Sequence, residues 1–247
     1  MTVRGETALV TGATSGIGKA ITLALAANGY EVIAVGRSAA ALKDLLCHAG
    51  VRPLMLDLTD REALAVALED EEVSVLVNNA GIIPPVTRFD EMDQSDIDAT
   101  LEVNLSATLA LTRVILPGMM AQKQGHVFFT GSTAGQAPFP NMAVYGASKA
   151  AISSFAAALR CDLSGFGVRV TEIVAGRVET NLYAQVLSDR SRADMYSAFD
   201  PVQPEDVAAM LLSVLNMPAH VDVTRFDILP TAQYVGGGGF AKKEDNT

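Results

Sequence analysis

The chain has 247 residues, 49% of them hydrophobic and 19% charged, which fills one α/β domain and excludes a disordered chain. Its formal net charge of -10 excludes the basic surface that a nucleic-acid partner requires. An anionic ligand would have to be held by local backbone dipoles and a few cations.

Short apolar runs alternate with longer amphipathic stretches, the βαβ rhythm of a parallel sheet. Strands are expected at 7–11, 31–35, 52–56, 73–78, 126–130, 169–174 and 225–229. Several are near-continuous apolar runs, as in strands covered by helices on both faces. Helices are expected at 18–28, 39–49, 61–68, 95–122, 145–163, within 182–197, and at 204–215, where Pro204-Glu205-Asp206 places proline and acids in a first turn. The predicted fold class is α/β, a single Rossmann-type doubly wound parallel seven-stranded sheet. Residues 1–235 form one dinucleotide-binding and catalytic domain, and the glycines at 236–239 open a flexible tail over 236–247.

The segment Thr11-Gly12-Ala13-Thr14-Ser15-Gly16-Ile17-Gly18 follows the first strand and opens the first helix. Glycines there permit a tight turn and bring backbone close to a pyrophosphate, whose charge suits a helix N-terminus. At the end of the second strand, an acid would bind both hydroxyls of an adenosine ribose. Gly36 stands in that place, followed by Arg37 and Ser38. Arg37 can fork onto a 2′-phosphate, which favours NADP(H) over NAD(H), or it is a solvated loop charge. Asp57 is a candidate for the adenine amino group, with Leu58 as its backbone partner. Asn78-Asn79-Ala80-Gly81 ends the fourth strand at the edge where open α/β sheets bind ligands, so Asn79, Ala80 and Gly81 are expected to face the cofactor.

Tyr145-Gly146-Ala147-Ser148-Lys149 places a phenol and an amine on one helix face. Hydride arriving at a carbonyl carbon leaves charge on oxygen, which needs a proton, and Tyr145 is the candidate donor. A free phenol titrates near pH 10. A unit charge ~4 Å away at an effective dielectric of ~20 contributes roughly 4 kcal/mol, or about three pKa units, enough to bring Tyr145 near 7. Lys149 would also grip the nicotinamide ribose, and Ser132 would donate to the substrate oxygen.

These residues together resemble the short-chain dehydrogenase/reductase family over nearly the whole chain, with Asn104 and the GxxxT segment at 176–180 completing the likeness. Within the family the chain is most similar to NADP-dependent serine and 3-hydroxy acid dehydrogenases, through 116–119, 131–135 and 217–221. The resemblance implies that Asn104 holds a water linking Lys149 to solvent; the alternative is that Asn104 caps or bends its own helix. It also implies that Gly176, Val178 and Thr180 face the cofactor, with Thr180 on the nicotinamide carboxamide. Dimers or tetramers joined through the long helices are a further implication. Two departures border the expected substrate pocket: Ala175 replaces the usual proline, and Ile82-Ile83-Pro84-Pro85 follows the NNAG segment.

A substrate lid is expected over about 181–199, with Gln136, Phe139, Asn141 and Met142 on the opposite wall. Arg177 binds a substrate carboxylate, or pairs with Glu172 or Glu179. His48, His126 and His220 show no ligand spacing, and no metal site is expected. Cys47 and Cys161 read as free thiols. No signal peptide and no run of transmembrane length is evident, so the expected location is the cytoplasm. The expected activity is an NADP(H)-dependent interconversion of a small hydroxyl compound, such as a 3-hydroxy acid, and its carbonyl. The rivals are a 3-oxoacyl thioester reductase and a non-catalytic NADP(H)-binding regulator.

Overall fold

Alternation of side chains along the first strand determines how the sheet is covered. In β1 (Thr7–Thr11), Ala8 and Val10 enter one apolar cluster and Leu9 enters the other. The same split recurs in β2 (Glu31–Gly36), where Val32 and Ala34 face one side and Ile33 and Val35 the other. A strand buried on both faces must sit between helical layers. The computed structural model, which describes residues 5–184, 186–197 and 199–233, has this arrangement.

All seven strands are parallel, in the order β3-β2-β1-β4-β5-β6-β7. The remaining strands are β3 (Val51–Met55), β4 (Val75–Asn78), β5 (Gly125–Ser132), β6 (Val168–Ala175) and β7 (Arg225–Ile228). On one face lie α1 (Gly16–Ala27) and α9 (Pro204–Leu215), with Ile21, Leu25, Val207 and Leu211 packed on Val10, Val77 and Phe128. On the other lie α5 (Ala107–Gln122) and α7 (Ala143–Asp162), with Leu111, Ile115, Ile152 and Leu159 packed on Leu9, Leu76 and Phe129. Shorter helices are α2 (Ala39–Lys43), α3 (Arg61–Ala67), α4 (Gln94–Leu101), α6 (Thr133–Gln136) and α8 (Asp189–Ser197). Because chain order reverses between β1 and β4, the segments leaving their carboxyl ends part to opposite faces of the sheet and leave a crevice.

Most boundaries shift by one or two residues, and three differences change the shape of an element or the reach of a strand. The helix expected over 39–49 ends at Lys43 and continues as a 3-10 turn over Asp44–Cys47, and Gly50 then turns the chain with φ +81. The single helix expected over 95–122 is α4 and α5 joined by a π-helical turn, Glu102–Ser106. That helical stretch, Gln94–Gln122, is long and apolar enough to cross a bilayer, against the expectation that no run reaches that length. Here Leu111, Thr112, Ile115 and Met119 are buried against the sheet, as in a core helix. Finally, β5 extends two residues further than expected and carries Ser132 to the crevice edge. The expected tail, 236–247, lies outside the described residues.

His126 is 2% exposed in β5, stacked on Phe128 with ring centroids 4.0 Å apart. Its Nε2 lies 2.7 Å from Thr171 Oγ1, which donates to the Val223 carbonyl at 2.6 Å, so Nε2–H is the tautomer this network requires. Burial holds its pKa well below the usual histidine value, with the Arg169 charge acting the same way. The native protein therefore refuses a proton that the unfolded chain accepts below about pH 6.5. Stability is expected to fall as pH drops from 6.5 to 5.5, by up to about 1.4 kcal/mol per unit, and His126→Gln to remove that slope. Urea midpoints of both proteins at pH 5.5, 6.5 and 7.5 check it.

Candidate active site

The crevice becomes a groove of ≈ 410 Å³ lined by the glycine-rich turn, the ends of β2 to β5, Tyr145, Lys149 and residues 180–182. Its floor is set by Thr11. The Thr11 hydroxyl donates to the Val77 carbonyl at 3.3 Å and accepts from the amides of Asn79 and Ala80 at 2.9 and 3.0 Å. Asn79 returns its side-chain amide to the Thr11 carbonyl at 3.0 Å. Gly18 packs into this junction, where a Cβ would stand 2.2 Å from the Gly12 carbonyl oxygen and 2.5 Å from Asn79 Nδ2. Gly12 and Gly16 have φ of 64 and 49, which favour glycine. Gly12, Thr14, Ser15, Gly16 and Ile17 line the groove, with the unpaired amides of the α1 N-terminus beside them.

At the other end of this wall, Arg37 and Ser38 line the groove beside Asp57 and Leu58. Arg37 is exposed, and its charge helps hold the Asp57 carboxyl below its ordinary pKa, after hydrogen bonds from Thr59. Asp57 Oδ1 accepts from the Thr59 amide and hydroxyl at 3.0 and 2.8 Å. The Ser38 hydroxyl caps α2 by accepting from the Ala41 amide at 3.3 Å. Ala80 and Gly81 line the groove opposite.

Tyr145 and Lys149 are 6% and 5% exposed and share one face of α7, with Lys149 Nζ 5.9 Å from the Tyr145 ring centroid. Lys149 Nζ donates to the Thr130 carbonyl at 2.7 Å. Burial lowers its pKa to about 8, against the raising effect of the Glu172 carboxylate. The Tyr145 phenol is raised, not lowered to near 7 as expected. Burial opposes the phenolate first and the nearby Tyr183 adds to it, outweighing a hydrogen bond from Ser132 and the positive charge of Arg177. The simple coulombic argument failed because it placed both groups in a solvated dielectric. Ser132 itself ends β5, and its hydroxyl accepts from the Ala134 amide at 3.1 Å.

Asn104 sits in the π-helical turn, buried to 2% exposure. Its Oδ1 accepts from the Ile82 amide at 2.8 Å, and its Nδ2 donates to the Ile82 carbonyl at 2.9 Å and to Ser148 Oγ at 3.2 Å. The side chain thus clamps the segment after Gly81 and braces α7 beside Lys149. Asn104 thus lies within the π turn and close to Lys149 beside Gly81.

After β6, Gly176 bonds through its amide to the Ile228 carbonyl at 2.9 Å, and Val178 bridges to Val202; both hold the loop, while Thr180 lines the groove. The Arg177 guanidinium lies 5.4 Å from the Tyr183 ring centroid, and Nη1 donates to Met195 Sδ at 2.9 Å. Neither expected salt bridge is among the ion pairs of the described residues. Glu172 takes the Ser153 hydroxyl and Glu179 takes Gln203 Nε2 at 3.0 Å. Gln136, expected on the pocket wall, instead donates to Ser153 Oγ at 3.0 Å and accepts from Arg225 at 3.0 Å, on the far side of α6. Thr11 and Thr130 shape the groove through their hydrogen bonds and were missed by sequence reasoning; a threonine closing each of two apolar strands was the available signal. Cys47 and Cys161 are free and exposed, and no cluster of metal ligands occurs among the described residues.

A groove with a glycine cradle, helix-end amides and a cation at one end, and a buried phenol and amine at the other, has the chemistry to hold a dinucleotide. Comparison with known proteins agrees. The family profile described as short chain dehydrogenase matches residues 6–191. An uncharacterized short-chain type dehydrogenase/reductase of Sinorhizobium fredii is 47% identical over 240 residues, covering 97% of both chains. An NADP-dependent 3-hydroxy acid dehydrogenase of Escherichia coli is 34% identical over 239 residues, 93% of this chain and 96% of that one. The closed form of serine dehydrogenase complexed with NADP+ superposes with a TM-score of 0.89 at 33% identity, over 92% of this chain and 96% of that one. With its parallel sheet, its cradle, Tyr145 and Lys149 in one crevice and Ser132 bonded to Tyr145, the chain belongs to the short-chain dehydrogenase/reductase family of oxidoreductases.

Proposed function

We propose that the protein is an NADP(H)-dependent oxidoreductase that interconverts a 3-hydroxy acid, or a similar small hydroxyl compound, and its carbonyl. The observation that carries this reading is the meeting of buried Tyr145 and Lys149, with Ser132 hydrogen-bonded to Tyr145, at one end of a groove whose other end is the glycine cradle. Bound nicotinamide would supply or accept the hydride. Tyr145 acts as acid and base at the substrate oxygen, and Ser132 donates a second hydrogen bond to it. Lys149 grips the ribose and holds positive charge behind the phenol, while Asn104 keeps the Lys149 end in register for a solvent link. The raised phenol stays protonated through neutral pH, the form that reduction requires.

NADP(H) is favoured by Gly36 and Arg37 at the adenosine end. The 3-hydroxy acid dehydrogenase described above is NADP-dependent and the serine dehydrogenase is complexed with NADP+, which supports the same choice. An acidic substrate is supported by Arg177, whose charge reaches Tyr145 while the guanidinium rests on Tyr183 and Met195. Residues 181–199 act as the lid, since Met195 and Tyr196 of α8 touch Arg177 and the Val178 carbonyl. A homo-oligomer is supported by α7, whose outer face exposes Ala147, Ala150, Ala157 and Ala158.

Three outcomes are expected. Tyr145→Phe lowers carbonyl reduction about a hundredfold to ten-thousandfold while NADPH still binds; stopped-flow turnover and fluorescence titration separate the two. Arg37→Ala raises the KM for NADPH about tenfold or more and leaves that for NADH nearly unchanged. Arg177→Ala lowers kcat/KM for a 3-oxo acid about tenfold or more and that for a neutral short aldehyde far less; equal losses end the carboxylate role. A preference of the wild type for acetoacetyl thioesters over both would move the assignment to a 3-oxoacyl reductase.

A further inference from the structure

Glu172 is a carboxylate in the middle of β6, 5% exposed, with β5 and β7 on either side. Placing an anion there is costly unless it is paired and hydrogen-bonded. Its in-register partner on β5 is Phe129, which packs in the α7-side cluster with Ile152, so the carboxylate also rises toward α7. Ser153 donates its hydroxyl to Glu172 Oε1. Ser153 lies one helical turn after Lys149, so the acid and the Lys149 amine meet the same face of one helix.

The carboxylate is also pressed against the strand that delivers Ser132. A Cβ built on Gly131 would stand 2.4 Å from Glu172 Oε1, so a side chain there would displace the carboxylate. From Glu172 a line of hydrogen bonds runs to the surface, every donor pointing inward. Arg225 Nη1 donates to Gln136 Oε1 at 3.0 Å, Gln136 Nε2 donates to Ser153 Oγ at 3.0 Å, and Ser153 donates to the acid. Arg225 is held in turn by Asp227 at 2.6 Å through two nitrogens. A chain polarised in one direction stabilises an ionised acceptor at its end.

We propose that Glu172 is a positioning residue whose ionised carboxylate, tethered by Ser153, holds the Lys149 ammonium in its charged state and fixes the Gly131–Ser132 backbone in front of it. The neutral groups around Lys149 leave few other ways to keep that charge. The Thr130 carbonyl of β5 accepts from Lys149, and Asn104 of the π-helical turn stands with it beside Gly81. Tyr145 is on its own helix, and Tyr183 and the repelling Arg177 approach Tyr145 from the loop after β6. Beyond Glu172, the described charged groups on that side include Arg225 and Asp227 of β7, which pair with each other. The electrostatics agree in sign: Glu172 is the group that raises the Lys149 pKa against burial.

The role rests on the proposed function only for its kinetic arm, so the test has two readouts. The Lys149 side chain is titrated directly by NMR in the protein without cofactor, assigned with Lys149→Arg, in wild type, Glu172→Gln and Glu172→Asp. The midpoint is expected to fall by about one unit in Glu172→Gln and by less in Glu172→Asp, which keeps the charge but withdraws it. In NADPH-dependent reduction, Glu172→Gln is expected to lose about tenfold more activity at pH 9 than at pH 6.5, because fewer Lys149 amines are charged at the higher pH. Equal losses at both pH values would mean a merely structural role and overturn the proposal. So would a Lys149 midpoint at the wild-type value in both variants. Should Glu172→Gln fail to fold, the Glu172→Asp midpoint carries the test. If no carbonyl is turned over by wild type, the proposed function fails while the titration still decides the role of Glu172.

Discussion

The architecture turns on one hydroxyl. The ladder between β1 and β4 pairs them only as far as Val10 and Val77, and beyond it the segments leaving the two strands diverge. Thr11 bridges that gap by donating to Val77 and accepting from Asn79 and Ala80. The Asn79 side chain closes the ring onto the Thr11 carbonyl, and its Oδ1 accepts from Thr130 of β5 at 3.3 Å. Three strands are thereby tied at the edge of the groove. The glycine turn, the Asn-Ala-Gly segment and the carbonyl that anchors Lys149 all hang from this junction. Gly18 is required because its missing side chain lets α1 start against the Gly12 carbonyl.

The reactive end of the groove is governed by burial more than by pairwise attraction. A phenol and an amine one turn apart suggest a simple exchange of influence. In the folded protein each is nearly fully enclosed, and enclosure disfavours both charged forms. Tyr145 is driven toward the neutral phenol and Lys149 toward the neutral amine. The site therefore depends on groups that restore charge where it is needed: the Thr130 carbonyl in contact with Lys149, and the Glu172 carboxylate behind it. Arg177 stands in the same position for Tyr145, supplying positive charge from the loop after β6.

The fold was readable in the sequence wherever residues obey a local period. Strands with apolar side chains on both faces declare helical layers on both sides, and the glycines at 12, 16 and 18 declare a tight strand-to-helix turn. Boundaries failed where local rules were overridden. The stretch 95–122 is helical throughout by pattern, yet Asn104 bonds across to Ile82 and Ser148, and the helix takes up a π turn there. Gln136 lies close to Ser132 in the chain, but its side chain turns to Ser153 and Arg225 because α6 is a single short turn that faces α7.

By itself, the order of residues determined the class of fold, the place of the cradle and the sharing of one helix face by Tyr145 and Lys149. These follow from periods of two and of 3.6 residues and from backbone angles open to glycine, all of them local. Only the tertiary structure decided the charge state of that pair, the clamp made by Asn104, the surroundings of Arg177 and the place of Glu172 beneath Lys149. Each of these depends on how strongly water is excluded and on which distant strand or helix arrives alongside. A carboxylate at 172 and an amine at 149 are remote in sequence, and only parallel pairing of β5 with β6 beneath α7 makes them neighbours.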